Sequence, residues 1–222
     1  MKTAIVTGAS RGVGRATVKL LSNNGYKVIA VSRDIEKMSD LSSDNVEIYS
    51  LDVTKPDSIR AFYEKYKDIS LDLLVNNAGG GLDPKRIIEE TMENFRIAYE
   101  TNVSGPMYIS QLFVPCLERS ESPTIIFITS IGGNIPYPGG GNYTNAKRGQ
   151  IGLVETMRLE FPQHNIKITE ICPGSIDTNG NNKPDALTAE DLAESILWVS
   201  SLPNHLNVNS LNISHINNAL FR

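Results

Sequence analysis

Tyr143 and Lys147 stand four places apart in GGGNYTNAK, directly behind the glycines Gly139, Gly140 and Gly141. On a helix, i and i+4 side chains share one face. Neither group readily exchanges a proton near neutrality, their reference pKa values being roughly 10 and 10.4. An ammonium close to a phenol favours the phenolate and so loosens the phenol proton, which is what a general acid or base requires. The plainer alternative is a helix start that happens to carry a surface tyrosine and lysine. The elements that place the pair decide between the two.

Short apolar runs alternate with helix-patterned stretches along most of the chain. Strands are predicted at 3–7, 27–31, 46–51, 71–76, 124–129, 166–171 and 210–214, several of them apolar nearly throughout, as for strands covered on both faces. Helices are predicted between them. The stretch MENFRIAYETNVSGPMYISQLFVPCLER reads as two helices meeting near Asn102, and YTNAKRGQIGLVETMRLEF as one. This alternation implies right-handed crossovers and an α/β fold, a doubly wound parallel sheet of about seven strands with helices on both faces. No linker divides residues 1–222, so a single domain is expected. The polar loop 173–188 follows a strand's carboxyl end, where ligands of such sheets bind, and is read as a short substrate loop.

Composition removes several other functions. A net charge of −4 supplies no basic field for nucleic acid or anionic lipid. Cys116 and Cys172 are far apart without metal-ligand or redox spacing, so they read as reduced, small apolar residues and no metal site is expected. The opening MKTAIVTG lacks a signal-peptide core, and no stretch approaches the ~20 apolar residues of a membrane span. A cytoplasmic location is the resulting expectation.

The first predicted strand runs straight into TGASRGVG and a helix. Glycines there let the chain turn tightly and let phosphate oxygens approach the helix N-terminus, whose free N–H groups and dipole favour anions. A merely tight strand-to-helix turn would use the same residues. Further segments follow in order: Asp52-Val53 after the third strand, NNAG at 76–79 after the fourth, Asn102 in TNVSG, Ser130 after the fifth, Tyr143 with Lys147, and PGSIDT at 173–178 after the sixth. Taken together, these residues resemble the short-chain dehydrogenase/reductase family over about residues 1 to 178.

The resemblance implies a Rossmann-type fold and an oxidoreductase that reduces a carbonyl to an alcohol by hydride transfer. It implies that Gly8, Ser10, Arg11, Gly12, Val13 and Gly14 hold the cofactor phosphates, that Asp52 and Val53 hold the adenine, and that Asn77, Ala78 and Gly79 line the cofactor's middle. Pro173, Gly174, Ile176 and Thr178 would meet its nicotinamide end. Tyr143 would be the general acid/base, with Lys147 lowering its pKa and binding ribose. Ser130, thirteen residues before Tyr143, would hold the substrate oxygen. Asn102 would kink its helix and fix a water that relays protons to Lys147. Asn76-Asn77 could equally satisfy backbone groups at a strand end.

Ribose discrimination falls at the end of the second strand, where Ser32 stands in place of an acid and Arg33 follows. Arg33 and Arg11 suit a 2′-phosphate, which favours NADP(H) over NAD(H). Pairing of Arg33 with Asp34 or Glu36, or a shift that brings Asp34 to the ribose, would remove that preference. The expected partner is a small-molecule carbonyl or alcohol; 3-oxoacyl thioesters, pterin side-chain diketones, sugars and small ketones all remain open. A homodimer or homotetramer is implied by the resemblance. A nicotinamide-binding regulator or scaffold without turnover is the alternative, and an epimerase or dehydratase using the same tyrosine and lysine is a third reading. The glycine-rich loop before Tyr143 reads as a tight turn or a mobile substrate wall. Gly149 inside the following helix predicts close packing or a bend.

Overall fold

The computed structural model describes residues 1–178, 181 and 183–217. Seven strands form one parallel sheet: β1 (Thr3–Thr7), β2 (Lys27–Ser32), β3 (Val46–Ser50), β4 (Leu73–Asn76), β5 (Thr124–Ile128), β6 (Lys167–Pro173) and β7 (Ser210–Ile213). Their spatial order is β3-β2-β1-β4-β5-β6-β7. The helices are α1 (Gly12–Asn23), α2 (Pro56–Tyr66), α3 (Met92–Tyr99), α4 (Gly105–Leu112), α5 (Val114–Leu117), α6 (Gly141–Glu160) and α7 (Ala189–Ser201). The expected α/β doubly wound architecture, seventh strand included, is present.

Strand residues alternate between two cores, which explains why both positions of the alternation are apolar. Ala4, Val6, Val28, Ala30, Leu73 and Val75 face α1 and α7, packing with Val18, Leu21, Leu192 and Ile196. Ile5, Ile29, Val31, Leu74, Ile125 and Phe127 face the other way, toward Ile59, Phe62, Ile109, Phe113 and Val154 of α2, α4 and α6 and the residues beside them. Local signals set the helix ends. Pro56 opens α2, Thr91 caps α3 through the amide of Asn94, and Thr188 with Asp191 forms a capping box on α7. Gly25, at φ 80°, takes the chain away from α1 toward β2.

Helices α3 and α4 do not simply meet at Asn102. They are joined by one π-helical turn, Glu100–Ser104. The Asn102 amide donates to the carbonyl of Ala98, one turn back, at 2.8 Å. Such bulges mark places where a helix is re-aimed for a site. Gly149 is explained by close packing: a Cβ there would lie 3.2 Å from the Tyr99 ring and 3.3 Å from Val103. Helix α6 thereby sits tightly on α3 and its π turn.

Strand order reverses between β1 and β4, and the crevice at their carboxyl ends is where such sheets accept ligands. Thr7 and Asn77 bind the two strand ends together. The Thr7 hydroxyl accepts from the amides of Asn77 and Ala78 at 3.0 and 2.9 Å, and the Asn77 side chain donates to the Thr7 carbonyl at 2.8 Å.

Candidate active site

One cleft of about 1090 Å³ runs along the carboxyl ends of the strands. It collects nearly every residue singled out in the sequence: Gly8, Ser10, Arg11, Gly12 and Val13 after β1, Ser32 and Arg33 from β2, and Asp52 and Val53 after β3. Asn77, Ala78 and Gly79 line its middle; Ser130, Tyr143, Lys147, Pro173, Gly174, Ile176 and Thr178 line its far part. Gly14 and Asn102 are absent from the lining, and both act from behind it. A Cβ on Gly14 would fall 2.4 Å from the Gly8 carbonyl oxygen and 2.5 Å from the Asn77 amide nitrogen, so this glycine lets α1 press against the strand ends. Asn102 is fully buried; its amide donates to the Gly80 carbonyl at 3.0 Å and accepts from the Gly80 N–H at 3.2 Å.

The near end suits an anion. Helix α1 begins without a side-chain cap on its first N–H groups and without an acid in its first turn, which leaves its positive end facing the cleft. Arg11 and Arg33 line the cleft and make no ion pair with the described residues. Asp34 is instead taken by Lys37 at 2.8 Å, which holds its carboxyl below the ordinary value. Ser32 donates to the Asp34 carbonyl at 2.9 Å. The pairing of Arg33 with Asp34 that would have cancelled its charge is therefore not made. Lys37 lines this end too and was missed in the sequence; its position three residues after Asp34 was the available signal.

At the other end Ser130, Tyr143 and Lys147 come together from β5 and α6. Ser130 is nearly buried at the end of β5, and its hydroxyl accepts from the Gly132 amide at 3.0 Å. The Lys147 ammonium stands 5.9 Å from the centre of the Tyr143 ring. A Cβ on Gly79 would come within 3.2 Å of that ammonium and 2.7 Å of the Asn102 amide oxygen, so the glycine-rich floor after β4 brings these groups close.

The electrostatics differ from the expectation that Lys147 lowers the phenol. Burial pushes Tyr143 above its ordinary value, and the neighbouring Ser130 hydroxyl works against that rise without cancelling it. Lys147 is only 4% exposed, and burial pulls it down to about 7. No carboxylate among the described residues pairs with it. Its ammonium donates to the Ile128 carbonyl at 2.8 Å and to the Gln150 amide oxygen at 2.9 Å. Gln150 is itself fully buried, and its amide nitrogen has no partner among the described residues. Nothing in the sequence singled out this glutamine, although i to i+3 spacing on a helix places it beside the lysine.

The glycine-rich loop resolves as a turn. The Tyr137 carbonyl accepts from the Gly140 amide at 3.1 Å, with Pro138 and Gly139 between them and Gly139 at φ 83°. Proline followed by a positive-φ glycine is the type II pattern. The loop 173–188 also closes on itself: Asp177 donates its N–H to the Leu187 carbonyl at 2.8 Å, and Leu187 donates to Ser175 at 2.9 Å. Residues 179, 180 and 182 of this loop lie outside the described residues. Cys116 and Cys172 are both buried free thiols that burial pushes up, in keeping with inert packing roles.

A parallel doubly wound sheet, an anion-ready glycine turn and a serine–tyrosine–lysine cluster at the opposite end define a dinucleotide-dependent oxidoreductase fold and site. The sequence profile of the short chain dehydrogenase family matches residues 2–187. The chain belongs to that family. The serine 3-dehydrogenase of Agrobacterium fabrum is 27% identical to it over 97% of this chain and 94% of that protein. Among solved structures, the closed form of a serine dehydrogenase complexed with NADP+ superposes with a TM-score of 0.89 at 28% identity, covering 98% of this chain and 96% of the other. An alcohol dehydrogenase from the archaeon Thermococcus sibiricus, complexed with 5-hydroxy-NADP, superposes with a TM-score of 0.88 at 29% identity, covering 97% of each chain.

Among the described residues no helix is long and apolar enough to cross a membrane.

Proposed function

We propose that the protein is an NADP(H)-dependent oxidoreductase that interconverts a carbonyl and an alcohol, working as a reductase with NADPH. The observation that carries this reading is the convergence of Ser130, Tyr143 and Lys147 at one end of a cleft whose other end presents α1, Arg11 and Arg33. The fit to the cofactor rests on that end: an uncapped helix N-terminus for the pyrophosphate and two guanidiniums without ion pairs among the described residues for a 2′-phosphate. Asp52 and Val53 would flank the adenine, and Pro173 to Thr178 the nicotinamide end. The NADP-bound relatives support the same choice. Bound NADPH supplies the hydride; the protein supplies position, a proton and electrostatics.

The Ser130 hydroxyl donates to the substrate oxygen and steadies the negative charge that builds there. Tyr143, raised by burial, is a neutral phenol at physiological pH and so holds the proton that this oxygen receives in reduction. Lys147, when protonated, stabilises the phenolate left behind and offers its remaining N–H to ribose hydroxyls. Ile128 and Gln150 hold the ammonium in place for both tasks. Asn102 pins the floor at Gly80, leaving its main chain for the water-holding part that the family resemblance implies.

The test is NADPH consumption by the purified protein over a panel of ketones, aldehydes and oxo acids, beside Tyr143→Phe. Turnover should fall by about 10²–10⁴ in the variant, with NADPH affinity changed by no more than a few-fold. A variant that keeps full activity removes Tyr143 from the mechanism.

A further inference from the structure

The segment between β5 and α6 forms the wall of the cleft beside Ser130 and Tyr143. It contributes Ile131, Ile135, Pro136 and Tyr137. Ile135 is 39% exposed and Tyr137 48% exposed, although both line a concave site. Large apolar groups left to water inside a cleft mark a surface built for an apolar ligand.

The wall is held in place. Gly133 donates to the Ser130 carbonyl at 3.0 Å, Ile135 to the Ile131 carbonyl at 2.8 Å, and the type II turn fixes Tyr137 from its other side. The Tyr137 ring lies over Gly140, where a Cβ would come 2.6 Å from its Cζ. The glycine at 140 is what admits an aromatic ring at this spot. From Gly132, a Cβ would be 3.2 Å from the Tyr143 ring, 3.4 Å from the Ser130 hydroxyl and 3.4 Å from the Tyr137 ring. One patch of backbone thus touches both proposed catalytic side chains and the wall aromatic.

Charge points the same way. The cations lining the cleft among the described residues are Arg11, Arg33 and Lys37 at the anion-binding end and Lys147 behind Tyr143. Arg148 is the cation beside this segment; its guanidinium donates to the Asn134 carbonyl at 3.4 Å and does not line the cleft. A carboxylate against Ile135 and Tyr137 would therefore lose hydration with no cleft-lining cation of the described residues beside it.

We infer that the substrate is a neutral carbonyl compound bearing a planar apolar group, an aryl or conjugated ketone or aldehyde, whose flat face packs on Tyr137 and Ile135. This rests on the reductase reading above, and it separates the chain from a zwitterionic substrate such as serine. The phenol oxygen of Tyr137 is not needed for this role; the ring face is.

The experiment compares acetophenone and 3-oxobutanoate with NADPH, and L-serine with NADP+, in the wild type, Tyr137→Ala and Tyr137→Phe. Calorimetry of acetophenone binding to the protein with NADP+ runs in parallel. The wild type should favour acetophenone. Tyr137→Ala should lose about tenfold in kcat/KM for it, mainly through KM, with a matching loss in affinity, and Tyr137→Phe should keep it. Preference for 3-oxobutanoate or L-serine, or acetophenone kinetics and affinity unchanged in Tyr137→Ala, overturns the inference and leaves the reductase reading standing. Acetophenone binding that depends on Tyr137, without turnover of any carbonyl, supports the wall and overturns the reductase reading instead.

Discussion

Lys147→Met should change how stability depends on pH, in a direction set by the burial of this one group. Folding takes the lysine from an ordinary 10.5 to about 7. Between those values the unfolded chain binds a proton that the folded protein releases, so wild-type stability rises with pH across the window. Below about pH 7 both states are protonated and the full cost of burying the charge is present, about 5 kcal/mol from the displacement of the pKa. Methionine removes that cost at every pH. It also leaves the Ile128 carbonyl and the Gln150 amide oxygen without their donor, a loss of about 1–3 kcal/mol each that does not vary with pH. The sign at a single pH therefore depends on the balance of these effects, whereas the change with pH isolates the lysine. Raising the pH from about 7 to about 9 should move the stability of the variant down by about 2 kcal/mol relative to wild type. Urea unfolding of both proteins without cofactor at matched pH, with equal m-values, measures this. A difference between the two proteins that stays constant with pH refutes the assignment of Lys147 as a buried group with a depressed pKa.

Other substitutions test the rest of the site. Gln150→Leu withdraws an acceptor from the ammonium, and at about 1.5–3 kcal/mol for a hydrogen bond to a charged group it should move the falling limb of the kcat/KM profile for reduction to lower pH by about one unit or more. Gln150→Glu should move it the other way, and an unmoved limb in both shows that the contact is only structural. Arg33→Ala should weaken NADPH by about 10–100-fold while leaving NADH nearly unchanged; equal losses, read by fluorescence titration, remove the phosphate clamp. Gly14→Ala forces a methyl group against the Gly8 carbonyl and Asn77, and should cost about 1–3 kcal/mol together with a weaker NADPH complex. An unchanged melting temperature and affinity would falsify the close packing of α1 on the strand ends.

Much of the fold was legible because a strand buried on both faces must be apolar at nearly every position. TAIVT, KVIAV and TIIFI announce themselves in this way, and each stands in the sheet where the runs predicted. The β1–β4 switch point follows from the alternation of elements, so residues at successive strand ends had to meet. That reasoning brought Gly8, Ser32, Asn77 and Ser130 to one cleft from positions far apart in the chain. Asn77 proved to do both things its position allowed, tying backbone at the strand ends and lining the cleft.

The polar side chains behaved differently. Periodicity reports which residues are buried, but not which buried polar group faces which. Helix spacing placed Tyr143 and Lys147 on one face, yet the proton affinity of the lysine was decided by its burial between β5 and α6, where its ammonium meets the oxygens of Ile128 and Gln150. For the same reason the direction of the Tyr143 shift followed from burial rather than from its spacing to Lys147. Asn102 carried a readable motif, but its spacing showed neither the π-helical turn it occupies nor the Gly80 backbone it pins. The sequence read the glycine-rich loop as a tight turn or a mobile wall without singling out Tyr137, whose ring the turn and Gly140 set beside Ser130 and Tyr143. The sequence by itself determined the sheet, its switch point and the residue types gathered there. Only the tertiary structure decided their desolvation and their hydrogen-bond partners, because both depend on atoms that other parts of the chain bring to the site.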